Sequence, residues 1–182
     1  MQSTGVLILA IALLGCGERA NRPDDVNDFA RYPAIAAAIA EAGKPILHEG
    51  LPHPFGELGH FKTEKERTDV REWHGFWFYN ETLALNDEIA VRLTRLITKS
   101  GTFVPFISEK TCGGFHPDFA LEYSREGDQY IVFLCFRCQE AMFFTPTIQL
   151  RCDMTKAALE EFVSILTMRK NRPGERDLIL LR

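Results

Sequence analysis

The chain has 182 residues, of which 46% are hydrophobic and 25% charged, and Lys+Arg 21 against Asp+Glu 25 gives a net charge of −4. This length suits one domain with its own hydrophobic core. The mild negative charge and the lack of a long Lys/Arg run argue against nucleic acid binding, which needs a basic face to neutralise phosphates. No glycine-rich phosphate loop or dinucleotide fingerprint appears in the sequence either.

The first fifteen residues differ from the rest because they carry no Asp, Glu, Lys or Arg. The apolar run 5–15 is about half of the roughly 20 residues that a membrane-spanning helix needs, but it suits the core of a secretory signal peptide. Its end, Leu13-Leu14-Gly15-Cys16, resembles a bacterial lipobox, which implies cleavage before Cys16 and acylation of its sulfur. The alternative is a buried helix or strand with a core Cys16, and the start of the chain lacks the usual Lys or Arg.

This interpretation divides the chain into three parts. Residues 1–15 are the predicted signal peptide, 16–32 a polar tether, and 33–182 a single globular domain. The partner implied for the N-terminus is a membrane, entered by the acyl chains, because two or more chains anchor a protein stably. The expected location is therefore the bacterial cell envelope.

The first half of the globular domain is predicted as one helix, a loop and one strand. The alanine-rich segment 33–42 predicts a helix, with Pro33 in its first turn. Residues 48–60, rich in Gly, Pro and His, predict an irregular loop. The charged residues 64–72 predict a solvated strand or turn, and the aromatic residues 73–79 a buried strand that could also line a ligand groove.

The second half is predicted as helix, several strands, helix. Asn86 is suited to cap a helix that ends near Gly101. The predicted strands are 119–123, 130–136, 141–144 and 147–152, with a hairpin turn at 125–128 and a second strand that is apolar on both faces. Asp153 or Thr155 caps a last helix that ends at Asn171 and Pro173. The order predicts an α+β domain, with helices packed on one face of an antiparallel sheet.

Four cysteines remain after Cys16, and with one histidine they form a possible metal pattern. Cys112-x₃-His116, followed by Cys135-x₂-Cys138, offers zinc four sulfur and nitrogen ligands in two close pairs. Outside the reducing cytosol, an even number of cysteines favours disulfides, for example Cys112 with Cys135 or Cys138. Buried free thiols, including Cys152, are the third possibility.

Two weaker functional patterns involve histidines. A Cys112–His116 dyad, with Asp118 to orient the imidazole and Gly113 and Gly114 to present backbone N–H groups, has the parts of a cysteine enzyme. A tight glycine turn with a structural His116 is the favoured interpretation. His48, His53 and His60 invite a metal site, but each lies beside or close to Gly or Pro without helical ligand spacing.

Four phrases of the sequence carry a resemblance. They are EGLPHP at 49–54, TCGGFHPDFALEY at 111–123, CFRCQE at 135–140 and RKNRP at 169–173. Together they resemble a set of uncharacterised bacterial proteins, many from cell-envelope contexts, over roughly residues 45–173. The resemblance implies a folded domain and no mechanism. The expected function is a lipid-anchored binding or structural module, more a binder than an enzyme, with a zinc or thiol site as the alternative.

Overall fold

A computed structural model describes residues 27–167 and 171–172 of the chain. The predicted signal peptide, Cys16 and most of the predicted tether lie outside the described residues. Within those ranges, no helix is both long and apolar enough to cross a membrane.

The described chain folds into one eight-stranded sheet and four α-helices, so the predicted α+β class is confirmed. The helices are α1 (Tyr32–Ala40), α2 (Leu58–Lys65), α3 (Asp87–Thr98) and α4 (Lys156–Ile165). The strands are β1 (Ile46–Gly50), β2 (Val70–Trp73), β3 (Phe76–Leu83), β4 (Phe103–Pro105), β5 (Phe119–Arg125), β6 (Asp128–Cys135), β7 (Glu140–Phe144) and β8 (Gln149–Met154). Their spatial order is β2-β3-β1-β5-β6-β7-β8-β4, and every neighbouring pair is antiparallel.

Helices α1, α3 and α4 cover one face of this sheet, which we call the helix-backed face. Its core joins apolar side chains of these helices to alternate residues of the strands, such as Val132 and Leu134 of β6. The intervening β6 residues Ile131 and Phe133 are buried on the opposite face. Strand β6 is thus buried on both faces, as its uninterrupted apolar sequence predicts.

Local capping begins α3 and α4 where the sequence predicts them to begin. The side chain of Asn86 accepts a hydrogen bond from the backbone N–H of Ile89 (2.8 Å) at the start of α3. Thr155 does the same for Ala158 (3.4 Å) at the start of α4. Asp153 is not the cap, because it lies in β8. Helix α4 also ends earlier than predicted, and the backbone N–H of Asn171 donates to Glu49 (2.8 Å) on β1.

The aromatic segment 73–79 forms a hairpin, so the prediction of a single strand is wrong. Strand β2 ends at Trp73, and β3 begins at Phe76. Between them His74 and Gly75 have φ of 49° and 82°, the backbone of a two-residue turn that follows the twist of antiparallel strands. The hairpin brings Trp73 and Phe76 against Phe133 on the sheet face opposite the helices.

The predicted loop 48–60 contains parts of a strand and a helix. Strand β1 pairs with both β3 and β5, and these hydrogen bonds outweigh the local signal of its Gly and His residues. Gly50 ends β1 where the carbonyl of Pro117 occupies the space that a Cβ would need. Helix α2 begins at Leu58, and the hydroxyl of Tyr79 donates to its Glu64 (2.8 Å).

Candidate functional site

The structure gathers three of the four predicted zinc ligands, the cysteines, into one buried cluster. Cys112 lies in the loop before β5, Cys135 ends β6, and Cys138 lies in the turn between β6 and β7. Cys112 and Cys138 are joined by a disulfide, with 5.9 Å between their Cα atoms. Cys135 is a free thiol. The predicted disulfide is therefore present, in one of the two pairings that the sequence suggested.

The two free thiols among the described residues are buried in different surroundings. Cys135 has no exposed surface, and its sulfur accepts a hydrogen bond from the backbone N–H of Cys138 (3.3 Å). Burial, together with the negative charge of Asp118, raises the pKa of the Cys135 thiol to about 12. Cys152 lies in the core of the helix-backed face, where burial also raises its pKa. Both thiols are therefore protonated at neutral pH and weak nucleophiles.

His116 contacts a backbone carbonyl and aromatic rings. Its Nε2–H donates to the carbonyl oxygen of Leu51 (2.8 Å), and its ring meets those of His53 and Phe61 edge to face. Burial lowers the pKa of His116 to about 4, so the imidazole is neutral at pH 7. Throughout residues 27–167 and 171–172, no group of three or more His, Cys, Asp or Glu is arranged to hold a metal ion. The zinc site formed with His116 stays a prediction.

The parts of the predicted catalytic dyad serve other contacts in this structure. The sulfur of Cys112 is bonded to Cys138 and is therefore not a thiolate. Asp118 accepts hydrogen bonds from the backbone N–H of Phe136 (2.8 Å) and from the guanidinium of Arg172 (3.1 Å). Gly113 and Gly114 have φ of 95° and 90°, which agrees with the favoured interpretation of a glycine turn.

The three loop histidines occupy three different settings. His48 lies in β1, where its Nε2–H donates to Glu122 (2.9 Å). His60 is exposed on α2. Nδ1 of buried His53 accepts the backbone N–H of Phe55 (3.1 Å), so Nε2 carries the proton. Burial lowers the pKa of both His48 and His53.

A cleft of about 590 Å³ borders the disulfide, and we call it the disulfide cleft. Its lining combines the disulfide with charged and polar side chains: Lys110, Thr111, Cys112, Arg137, Cys138, Gln139, Asp153 and Met154. The ammonium group of Lys110 donates to both carboxylate oxygens of Asp153 (2.9 and 3.1 Å). The guanidinium of Arg137 lies over the ring of Phe55, 5.7 Å from its centre. The cleft thus presents both signs of charge beside the sulfur atoms.

Strand β8 fixes the loop that carries Cys112. Asp153 accepts a hydrogen bond from the backbone N–H of Ile107 (3.3 Å), in addition to its contact with Lys110. Arg151, two residues earlier, binds Glu109 (2.6 Å) and the fully buried Glu140 (2.7 Å). Burial raises the pKa of Glu140, while the charge of Arg151 opposes that rise. These contacts hold residues 107–110, just before Cys112, against the sheet.

Sequence reasoning missed the charged residues of the cleft and its support. Arg137 lies between two cysteines that drew attention for their sulfur, and Lys110 precedes the CGGFHPD phrase. One signal was available: in a strand, Arg151 and Asp153 point to the same face, opposite Cys152. Two charged residues on one face of this strand would have indicated the ion pairs that hold the segment before Cys112.

A second polar cluster joins residues 171–172 to β1 and to Asp118. Arg172 is almost fully buried; its Nε–H donates to the carbonyl of Gly50 (2.6 Å), and Nη1 donates to Asp118. Glu49 accepts the backbone N–H groups of Asn171 and Arg172. This segment near the C-terminus is thus tied to β1 and to Asp118, the residue before β5.

Comparisons with family models, with curated proteins and with solved structures find no match for this chain. The site therefore has to be interpreted from its own chemistry. The site consists of a disulfide on the border of a charged cleft, the buried and protonated thiol of Cys135, and ion pairs that hold residues 107–110.

Proposed function

We propose that this chain is a lipid-anchored protein of the bacterial cell envelope, whose α+β domain is a binding module and whose binding surface is the disulfide cleft. The observation that carries the proposal is the Cys112–Cys138 disulfide on the border of this cleft. It supports both halves of the proposal, because it bears on the compartment and on the site.

The stability of disulfides supports the proposed compartment. Disulfides persist in oxidising surroundings and are rare in the cytosol, where thiols are kept reduced. A protein exported and anchored through Cys16 would fold outside the cytosol. The sequence pattern around Cys16 and the disulfide more than ninety residues later are independent of each other, and both favour the envelope.

Binding is favoured over catalysis by the state of the sulfur atoms. Cys112 and Cys138 are bonded to each other, and the thiols of Cys135 and Cys152 are buried and protonated. A cysteine enzyme needs an accessible thiolate, and the described residues offer none in this state. The cleft, in contrast, has a volume in the range that holds small molecules, roughly 300–1,000 Å³.

The charges of the cleft indicate which ligands it suits. Asp153 already neutralises Lys110, whereas no carboxylate within the described part of the chain forms an ion pair with Arg137. A guanidinium pairs well with carboxylate or phosphate groups. We therefore expect a small polar ligand with one anionic group, placed against Arg137.

The anchoring half is tested by intact mass. The full chain is expressed in a bacterium, the membrane fraction is isolated, and the protein is weighed next to the Cys16→Ala variant. The expected product begins at Cys16 and carries acyl chains, while the variant stays unacylated. A membrane-bound product that still begins at Met1 would contradict the proposal.

The binding half is tested by melting temperature. The purified protein is titrated with inorganic phosphate, acetate, succinate and citrate, and Arg137→Gln serves as the site variant. At least one anion should raise the melting temperature of the unmodified protein and lose most of that effect in the variant. Arg125→Gln removes an equal charge at the distant β5–β6 turn and should keep the effect. Equal responses in all three proteins would contradict a site at Arg137.

A further inference from the structure

We infer that the Cys112–Cys138 disulfide is a redox-exchange site, reduced from the disulfide cleft by a small anionic thiol. The inference rests on the proposed function, since it uses the same cleft and names the class of ligand. It adds a reaction to a surface that was so far described only as binding. Three observations support it: the exposure of each cysteine, the carbonyl oxygen of Gly114 that can accept hydrogen bonds from the released thiols, and the positive charge of Arg137.

Access from the cleft is unequal for the three cysteines. Cys112 is 9% exposed and Cys138 3%, and both line the cleft. Cys135 has no exposed surface and contacts the backbone of Cys138. Because Cys112 is the more exposed residue, we take attack on Cys112, with Cys138 as the leaving group, as the order to be tested.

The exchange is balanced in two steps. A thiolate RS⁻ attacks Sγ of Cys112, the bond between Cys112 and Cys138 breaks, and its electron pair leaves on Sγ of Cys138, which takes a proton. A second thiolate attacks the outer sulfur of the mixed disulfide, and Cys112 leaves and is protonated. Two molecules of RSH become RSSR, and the protein disulfide gains two electrons and two protons.

The reduced protein has an acceptor in place for both new thiols. The carbonyl oxygen of Gly114 lies 3.2 Å from Sγ of Cys138 and 3.8 Å from Sγ of Cys112. Disulfide sulfurs have no hydrogen to donate, but the thiols that form on reduction can each donate to this oxygen. The positive φ of Gly113 and Gly114 holds the carbonyl there. Reduction therefore creates polar hydrogens whose partner is already present.

Cys135 does not enter the exchange, although it is the nearest third sulfur. Its thiol is fully buried and accepts the N–H of Cys138, and burial disfavours its thiolate. Reoxidation therefore restores the pair Cys112–Cys138 instead of a bond to Cys135. The site cycles between one defined disulfide and one defined dithiol.

The charge of the cleft favours an anionic thiol. Arg137 lies beside Cys138 in the sequence and lines the same cleft, whereas the charge of Lys110 is balanced by Asp153. A cation beside the reaction centre raises the local concentration of an anionic thiolate and lowers that of a cationic thiol.

The test is the rate of disulfide reduction in the full chain. Glutathione, which is anionic, and cysteamine, which is cationic, are supplied at equal thiolate concentration; samples are quenched with an alkylating agent and weighed. The rate should rise linearly with thiol concentration, and glutathione should react faster, roughly five-fold. Arg137→Gln should remove this preference, and Arg125→Gln should keep it.

Two outcomes would overturn the inference. The first is a reduction rate that does not depend on thiol concentration and equals the rate of global unfolding, because the disulfide would then be attacked only in the unfolded chain. The second comes from Cys138→Ser, in which the Cys112 thiolate should attack oxidised glutathione, form a mixed disulfide at Cys112 and release one molecule of reduced glutathione. A mixed disulfide at Cys135 in this folded variant would show that the order of access is wrong.

Failure here is distinguishable from failure of the proposed function. If anions raise the melting temperature through Arg137 while the disulfide stays unreactive, the binding surface stands and the exchange reaction is wrong. If the disulfide exchanges as expected but the protein is neither processed nor acylated at Cys16, the exchange stands and the envelope anchor is wrong.

Discussion

The two sides of the domain are stabilised in different ways. The helix-backed face is held by apolar contact, in which Phe143 packs against Tyr32 and Phe103 without any exposed surface. The end that carries the disulfide cleft, which we call the cysteine end, consists of residues 51–57, 106–118 and 136–139. It is held by one disulfide, buried histidines and ion pairs. Apolar contacts depend little on pH or redox conditions, so only the cysteine end should respond to both.

The largest expected effect comes from the apolar side. Phe143→Ala should lower the free energy of unfolding by about 3–5 kcal/mol, because it leaves a cavity next to the rings of Tyr32 and Phe103. The measurement is urea denaturation at pH 7, in oxidised and in reduced protein. Val91→Ala, at a position 65% exposed, is the control and should change little. A small loss for Phe143→Ala would show that the core is not the main support of the fold.

Removal of the disulfide should have the next largest effect. Cys112→Ala combined with Cys138→Ala opens a covalent loop with a sequence separation of 26 and should cost about 3 kcal/mol. The same urea experiment measures this loss. Reductant should destabilise the unmodified protein by a similar amount and leave the double variant unchanged. If reductant also destabilises the double variant, another sulfur contact must contribute.

Acid should weaken the cysteine end through His116. Burial depresses its pKa from 6.5 to about 4, so the stability from its neutral form is present above pH 6.5 and is lost as the pH falls towards 4. Between pH 7 and 4.5 the unmodified protein should lose about 2 kcal/mol more than His116→Gln. Gln can still donate to the carbonyl of Leu51, so the variant keeps that contact. Equal losses would mean that His116 does not titrate on unfolding.

The smallest expected effect tests whether the two sides are independent. Asn86→Ala removes the cap of α3 and should cost about 1 kcal/mol, whereas Asn86→Asp should retain most of the stability. Neither variant should alter the rate at which thiols reduce Cys112–Cys138, because α3 packs on the helix-backed face. A faster reduction in Asn86→Ala would show that the cysteine end opens together with the helices.

The elements that could be predicted are those whose signal is local. Asn86 and Thr155 cap their helices through contacts three residues along the chain, and the hairpin turn at 125–128 has a glycine at its centre. Strand β6 could be identified because its apolar run is uninterrupted, as a strand buried on both faces requires. Such features depend on neighbouring residues, which the sequence presents directly.

The elements that could not be predicted depend on distant partners. Strand β1 reads as a loop until β3 and β5 lie on either side of it. Likewise, the sequence offers three candidate pairings or ligand sets for the cysteines, and only the turn at 136–139 decides that Cys138 faces Cys112. The charges of Arg137 and Asp153 acquire a role only when the fold forms a cleft between them.

The position of the disulfide also determines how the protein would withstand proteolysis. Cys112 and Cys138 lie on either side of strands β5 and β6, so the covalent ring encloses the central hairpin and its exposed turn at Glu126 and Gly127. A protease that cuts this turn would produce two fragments still joined through sulfur. The nicked chain would run as one species without reductant and as two with it, and its two central strands could not separate while the bond remained oxidised.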